Sequence, residues 1–474
     1  MGFRVIIVGG SVTGLSLANM LEKHGIDYVL LEAYREIAPQ VGASIGMAPN
    51  GLRVLDQLGC YERLQEMAGN YYLKAEMRDL EGRVLYRSDG NGQADLIEKA
   101  TGYPVIFLDR QMLLQVLYDM IQHKDRILTG KRVARLEMSD GELARVHTND
   151  GSVYEGDIVV GADGVHSATR AEMWRLADEL APGTFTANEE ADVNANAKCI
   201  FGISTRPTGF PSTKQQFISS KGVSYMTSPG PDSRLYWFLF VSMPTASGKA
   251  IPKWTKKDEE LLAEQHLHDK ITDQVSFGDL YKARRRTALV SLEEHVFLRW
   301  HFKRAITIGD SAHKVHPITV VGGNGAIESA ALLCNALVRR LPENGSSTIS
   351  EPEIEEAFTE VQDYQQHRAQ SIVKEGKQMQ AWLNQTFPLA GLAMRLASPF
   401  LNDGFFTERI IKVYSSAPTL ERLALPVRPP ATLPQTQVSR SDLSLVCKLF
   451  SAAILLGAVG YAVAWERIPL CRLW

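Results

Sequence analysis

The sequence predicts an α/β (α+β) fold, with a parallel-sheet domain interrupted by an antiparallel-sheet domain and followed by helices. Three observations carry this. Phe3 to Gly10 (FRVIIVGG) is a short apolar run that ends in a glycine turn and opens into helical periodicity, the start of a βαβ unit. From about 175 to 290 apolar and polar residues alternate, as in Phe201 to Ser204 and Arg234 to Val241, which is the period of a half-buried strand. Residues 351–385 are charged and helically spaced.

In order along the chain, the first unit has Leu15, Leu17, Ala18 and Leu21 on the inner face of a helix, Gly25 as its stop, and Tyr28 to Glu32 as a second strand. Residues 103–110 read as a strand leading into a helix, with Asp109 as N-cap and Leu113, Leu114 and Leu117 on one face. Residues 151–163 read as a hairpin-like pair ending in a second glycine turn. Ala305 to Asp310 (AITIGD) is a buried strand, and Asn324 to Leu341 a long apolar helix. The expected division is 1–175 for the first part of the dinucleotide domain, 176–290 for the sheet domain, 291–345 for the return to the first domain and 346–424 for a helical region. Residues 425–442 are a Pro-rich linker. The apolar segment 443–465 follows, and its 23 residues rise about 34 Å as a helix against a bilayer core of about 30 Å. Tyr461 and Trp465 stand where interfacial aromatics anchor.

Composition narrows the function. The 474 residues are 45% apolar and 22% charged, ordinary for a folded protein. With 51 basic against 54 acidic residues the net charge is −3, so no basic footprint for nucleic acid is present. Cys60, Cys199, Cys334, Cys447 and Cys471 form neither a CxxC pair nor a zinc spacing. No export signal is read at the N-terminus, and the body of the protein is expected in the cytosol. Arg422, Arg428, Arg440 and Lys448 precede or enter the apolar segment and only Arg467 and Arg472 follow it, which favours a cytosolic body on an endoplasmic-reticulum anchor.

The first glycine turn, Gly9-Gly10-Ser11-Val12-Thr13-Gly14, supplies a phosphate cradle. Gly9 permits the turn, Gly14 lets helix and strand approach, and the helix N-terminus offers free N–H groups and a positive dipole end. Ser11 replaces the middle glycine of the usual fingerprint. Glu32 ends the second strand where a carboxylate can accept from ribose hydroxyls and repel a 2′-phosphate, so the site suits FAD or NAD. His313 and His316 have HxxH spacing without a third ligand, and no metal site is expected.

Two further turns, Gly161-Ala162-Asp163-Gly164 and Gly309-Asp310 followed by Pro317, come in the order of a known family. The chain resembles the FAD-dependent aromatic-hydroxylase-type monooxygenases, with the p-hydroxybenzoate hydroxylase fold, over most of residues 1–345. Leu108-Asp109-Arg110 and the segment from Met47 to Gly59 also match. The GGSVTG turn, the glycine-rich segment after the GD motif and the apolar tail are most similar to fungal epoxidases of prenylated indole diterpenes and meroterpenoids. The resemblance implies FAD as cofactor, NADPH as co-substrate and O2 as oxidant. It also implies a Rossmann-like FAD domain with a substrate sheet inserted. The implied cofactor contacts are Gly9, Ser11, Gly14, Glu32, Gly46, Arg110, Asp163, Asp310 and Gly323; Tyr225 is the candidate catalytic residue, with a packing role as its alternative. The expected reaction is epoxidation of a prenyl double bond in a lipophilic small molecule. Aromatic ring hydroxylation, or flavin binding without turnover at a membrane, are the alternatives.

Overall fold

The computed structural model describes residues 2–39, 44–69, 74–88, 92–139, 141, 143–186, 189–342, 348–397 and 403–428. The expected spanning segment 443–465, most of the linker 425–442, and Gly42 and Ala43 lie outside these residues. Among the described residues no helix is long and apolar enough to cross a membrane.

The strand Arg4–Val8 sits near the centre of a six-stranded sheet, between Ile158–Gly161 and Asp27–Leu31, both parallel to it. Its sequence explains that position. Val5 and Ile7 enter one core with Leu15, Tyr28, Leu30, Ile158 and Ile306, whereas Ile6 and Val8 enter another with Val29, Leu31, Val159 and Met173. A strand apolar on both faces must be covered on both. The helix Val12–Lys23 covers one face together with Gly322–Arg340, and Ala168–Leu180 covers the other. Each fully buried aliphatic side chain contributes about 1.5–3 kcal/mol. This sheet therefore fixes the glycine turns that leave its strands.

The inserted sheet has eight strands among the described residues, ordered His313–Lys314, Arg284–Val296, Asn194–Thr205, Arg234–Ser247, Val223–Pro229, Lys214–Ser220, Lys74–Asp79, Val84–Arg87. It is mixed rather than purely antiparallel, because Lys214–Ser220 runs parallel to Lys74–Asp79. The last two strands come from the segment assigned to the first domain. That segment crosses from one sheet to the other and returns, which a division by sequence position does not reveal. At the other edge His313–Lys314 pairs with Arg284–Val296, so the turn after Gly309-Asp310 is stitched to the inserted sheet.

Residues 151–163 do not form a hairpin. Val153–Gly156 pairs antiparallel with Ala144–Thr148 in a three-stranded sheet, and Ile158–Gly161 joins the parallel sheet. Asp157, between them, accepts the Arg4 N–H at 2.7 Å and holds the change of sheet. Asp109 occupies the N-cap position of Arg110–Met120, yet its carboxylate makes no capping bond. It accepts from the Tyr236 hydroxyl at 2.8 Å and pairs with Arg234 at 3.4 Å, joining this helix to the inserted sheet.

Candidate functional site

The first helix begins at an unusual electrostatic arrangement. Gly9 has φ +107, and a Cβ there would lie 2.5 Å from the Ala162 carbonyl oxygen. At Gly14 a Cβ would lie 1.9 Å from the Gly9 carbonyl oxygen. Only glycine fits either position, so the turn folds tightly against the helix. Ser11 is the N-cap but makes no side-chain capping bond, and the first turn carries no acidic residue. Instead the Ser11 hydroxyl accepts from the Arg110 guanidinium at 2.5 Å. A cation beside the positive end of a helix is unfavourable unless an anion shares the space. An uncapped N-terminus with an arginine against it fits a pyrophosphate. Glu32 is buried; its Oε2 accepts the Gly10 N–H at 2.6 Å and its Oε1 the Tyr34 N–H at 2.7 Å. The carboxylate thus fixes the turn while keeping lone pairs for ribose hydroxyls.

The other two turns interlock. Asp163 accepts from Ser167 Oγ at 2.6 Å and from the Thr169 N–H at 3.0 Å, at the start of Ala168–Leu180. Ser311 Oγ lies 3.3 Å from Asp163 and accepts the Gly164 N–H at 2.8 Å. Arg170, buried at 2% exposure, donates to the carbonyls of Ser311 and Arg299 and to the Thr307 hydroxyl, with its guanidinium 3.9 Å above the Phe297 ring. Burial pushes its pKa down to about 9. Asp163 and Arg170 therefore bind the DG and GD turns into one unit, and Asp163 directs its carboxylate at the protein. Asp310 pairs with Lys314. Burial pushes the Asp310 carboxyl up, but the Lys314 ammonium outweighs it and holds it below the usual range.

The helix Gly322–Arg340 gives a second N-terminus with no side-chain cap and no acid in its first turn. Asn324 secures it: its Oδ1 accepts the Ala48 N–H at 3.0 Å, and its Nδ2 donates to the carbonyls of Gly46 at 3.0 Å and Val320 at 2.7 Å. Val320 has φ +58, costly for a β-branched residue. Gly46 makes room for that loop, since a Cβ there would lie 2.2 Å from Val320 Cγ1. A Cβ at Gly323 would lie 2.5 Å from Ile45 Cδ1. The structure thus brings Gly9, Ser11, Gly14, Glu32 and Arg110 together at one helix end, and Gly46 and Gly323 at the other.

A family profile described as an FAD binding domain matches residues 3–357. The chain belongs to this family. Similar curated proteins include the FAD-dependent monooxygenase spyC of Aspergillus fumigatus, 40% identical over 376 residues covering 78% of this chain and 77% of that protein. Another is the FAD-dependent monooxygenase atmM of Aspergillus flavus, 34% identical over 427 residues covering 90% and 88%. Among solved structures, Klebsiella pneumoniae HpxO complexed with FAD and uric acid superposes with a TM-score of 0.70 at 22% identity, over 88% of this chain and 97% of that one. The protein is an FAD-dependent monooxygenase.

In this monooxygenase Tyr225 packs inside the inserted-sheet domain. Strand Val223–Pro229 alternates faces, and Tyr225 points with Ile218, Leu239 and Trp237 into the core covered by Lys256–Glu264 and Phe277–Lys282. Its hydroxyl donates to Asp269 at 2.5 Å, and Asp269 also meets His266 Nδ1 at 2.9 Å. Burial, reinforced by Asp269, pushes the phenol well above its ordinary value. Met226 takes the opposite face, in the cluster that contains Ala48, Phe107 and Ile318. Trp237 shares the Tyr225 side, whereas Phe238 and Phe240 share the Met226 side.

His313 and His316 are buried and neutral, with pKa values pushed down by burial to about 4 and about 3. His313 Nε2 meets Ser329 Oγ at 3.0 Å, and His316 Nδ1 accepts the Ile318 N–H at 3.2 Å. Among the described residues no group of three His, Cys, Asp or Glu is arranged to hold a metal. Sequence reasoning missed Glu328, which is fully buried and receives Arg368 at 2.7 and 2.9 Å and Asn50 at 2.5 Å. Its place one turn after Asn324 is visible in the sequence; its partner Arg368 is not.

Proposed function

We propose that this monooxygenase epoxidises a double bond of an isoprenoid chain carried by a lipophilic core, using NADPH and O2, in secondary-metabolite biosynthesis. Bound FAD supplies the redox chemistry between NADPH and oxygen. Arg110, with the uncapped start of Val12–Lys23, holds its phosphates, and Glu32 receives its ribose. The start of Gly322–Arg340 offers a positive helix end for charge developing on the reduced ring.

The observation that supports an alkene substrate is the wall facing the FAD side. Across the inserted sheet, Met77, Phe217, Met226, Phe238 and Phe201 stand in register, and Ser224, Phe240 and Cys199 form the next row. The five residues of the first row are apolar; the second row runs on through Ser219 to Asp79, whose carboxylate is taken up by Arg83 at 2.8 Å. Such a wall favours apolar surface at about 25 cal/mol per Å² buried and excludes water from the reacting centre. Phenol hydroxylation calls for a base to raise the ring's electron density, whereas an isolated alkene needs placement. Incubation with prenylated phenols, prenylated indoles and unprenylated phenols under oxygen-18 gas tests this. One labelled oxygen is expected, as an epoxide on the prenyl chain. Ring hydroxylation with the prenyl double bonds intact would overturn the reading.

We further infer that residues 443–465 anchor the chain in the endoplasmic-reticulum membrane with its body in the cytosol, a setting suited to a lipophilic substrate. Release of intact chain by carbonate extraction would refute the anchor, and protease digestion of the body in sealed vesicles tests its orientation.

A further inference from the structure

We propose that the short helix Ala390–Ala397 lies against the bilayer surface and inserts its outer leucines among the acyl chains. This rests on the reading of residues 443–465 as an anchor. The helix is apolar on two sides. Ala390 and Met394 are buried against the body at 2% and 6% exposure, whereas Leu392 and Leu396 are 53% and 64% exposed and Leu389, just before the helix, is 64% exposed. Leu392 and Leu396 stand one turn apart on the outward face of the helix, and Leu389, at φ +61, leads into it. Single exposed leucines are ordinary on a protein surface, as Leu180 and Leu298 are here. Three within eight residues, two of them one turn apart on a helix, are not, and they mark an interaction surface.

The chain itself favours lipid as the occupant. The last described residues end at Arg428, which is bonded to Asp56 and packs beside Gly102. Gly102 follows the helix Gly92–Thr101, and Asp403–Ser415, the next helix after Ala390–Ala397, packs along it. Residues 429–442 then precede the apolar segment, and 14 residues reach at most about 50 Å. The anchor therefore holds this side of the body within reach of the membrane. The charges around these leucines choose the kind of contact. Arg395 pairs with Asp79 at 3.5 Å and Glu81 at 3.3 Å, so the only cation of the helix is matched by acids of the body. That favours acyl-chain contact with a neutral bilayer over attraction to anionic headgroups.

The test reconstitutes the full chain into phosphatidylcholine vesicles that carry a fraction of diazirine-acyl phosphatidylcholine, followed by irradiation and peptide mapping. Labelling of 443–465 reports the anchor, and labelling of 389–397 reports the helix. The expected result is label in both, with 389–397 at least about ten-fold above the peptides holding Leu180 and Leu298. In Leu392→Gln/Leu396→Gln, whose sites are exposed and whose FAD content should be unchanged, label at 389–397 should fall to the level of those control peptides. Label in 443–465 alone would overturn the inference and leave the anchor standing. Label in neither would overturn both.

Discussion

Replacing Arg110 by methionine should weaken FAD binding by about 5- to 30-fold without unfolding the protein. The guanidinium donates one bond to Ser11 and stands at an uncapped helix N-terminus. A hydrogen bond involving a charged group contributes about 1.5–3 kcal/mol. Arg110 is only half-buried, so solvent screening reduces this to about 1–2 kcal/mol. At about 1.4 kcal/mol per decade of affinity, that is the stated range. The assay is titration of deflavinated protein with FAD, followed by quenching of flavin fluorescence, at low and high salt. Because the lost term is electrostatic, wild-type affinity should fall more steeply with salt than that of Arg110→Met. Arg110→Lys keeps the charge but loses the planar fork, and should fall between the two. A dissociation constant within two-fold of wild type, with the same salt slope, would refute the assignment of Arg110 to the phosphates.

Gly14→Ala places a Cβ against the Gly9 carbonyl and should cost about 1–3 kcal/mol of stability together with most bound FAD, read from thermal melting and flavin content. Tyr225→Phe removes a bond to Asp269 and should lower stability by about 1–2 kcal/mol in urea unfolding, with FAD content unchanged. Glu294 is buried and its pKa is raised by desolvation from 4.5 to about 7, so the folded state binds its proton more tightly than the unfolded chain. Its destabilising effect grows as pH rises from about 4.5 and is complete above about 7, reaching about 3 kcal/mol. Urea unfolding of Glu294→Gln should therefore show a gain over wild type at pH 8 that shrinks toward pH 5, and a pH-independent difference would refute it.

What was legible in the sequence was local and what was not depended on pairing between distant segments. The turn from Gly9 to Gly14 is written in six consecutive residues, each with its own steric or electrostatic reason, and the sheet strands around it are apolar on both faces. The strands Lys74–Asp79 and Val84–Arg87 carry no such mark of their destination, because their partner Lys214–Ser220 lies far along the chain. Val153–Gly156 and Ile158–Gly161 look like a hairpin because only Asp157 separates them, yet the Arg4 N–H takes the Asp157 carboxylate and sends the two strands to different sheets.

Tyr225 shows the limit most sharply. Strand periodicity places Tyr225 and Met226 on opposite faces but does not say which layer covers each face. That choice is made by what covers each side: Phe277, Leu280 and Leu262 close over Tyr225, while Ala48, Phe107 and Ile318 close over Met226. Those covering residues belong to other elements, so the assignment waits on the assembled fold. On the apolar wall proposed to receive substrate, the positions to test for specificity are Met226, Phe238 and Phe201, on the face opposite Tyr225. Substitutions there should change which substrate is accepted, whereas substitutions in the Tyr225 layer should change stability.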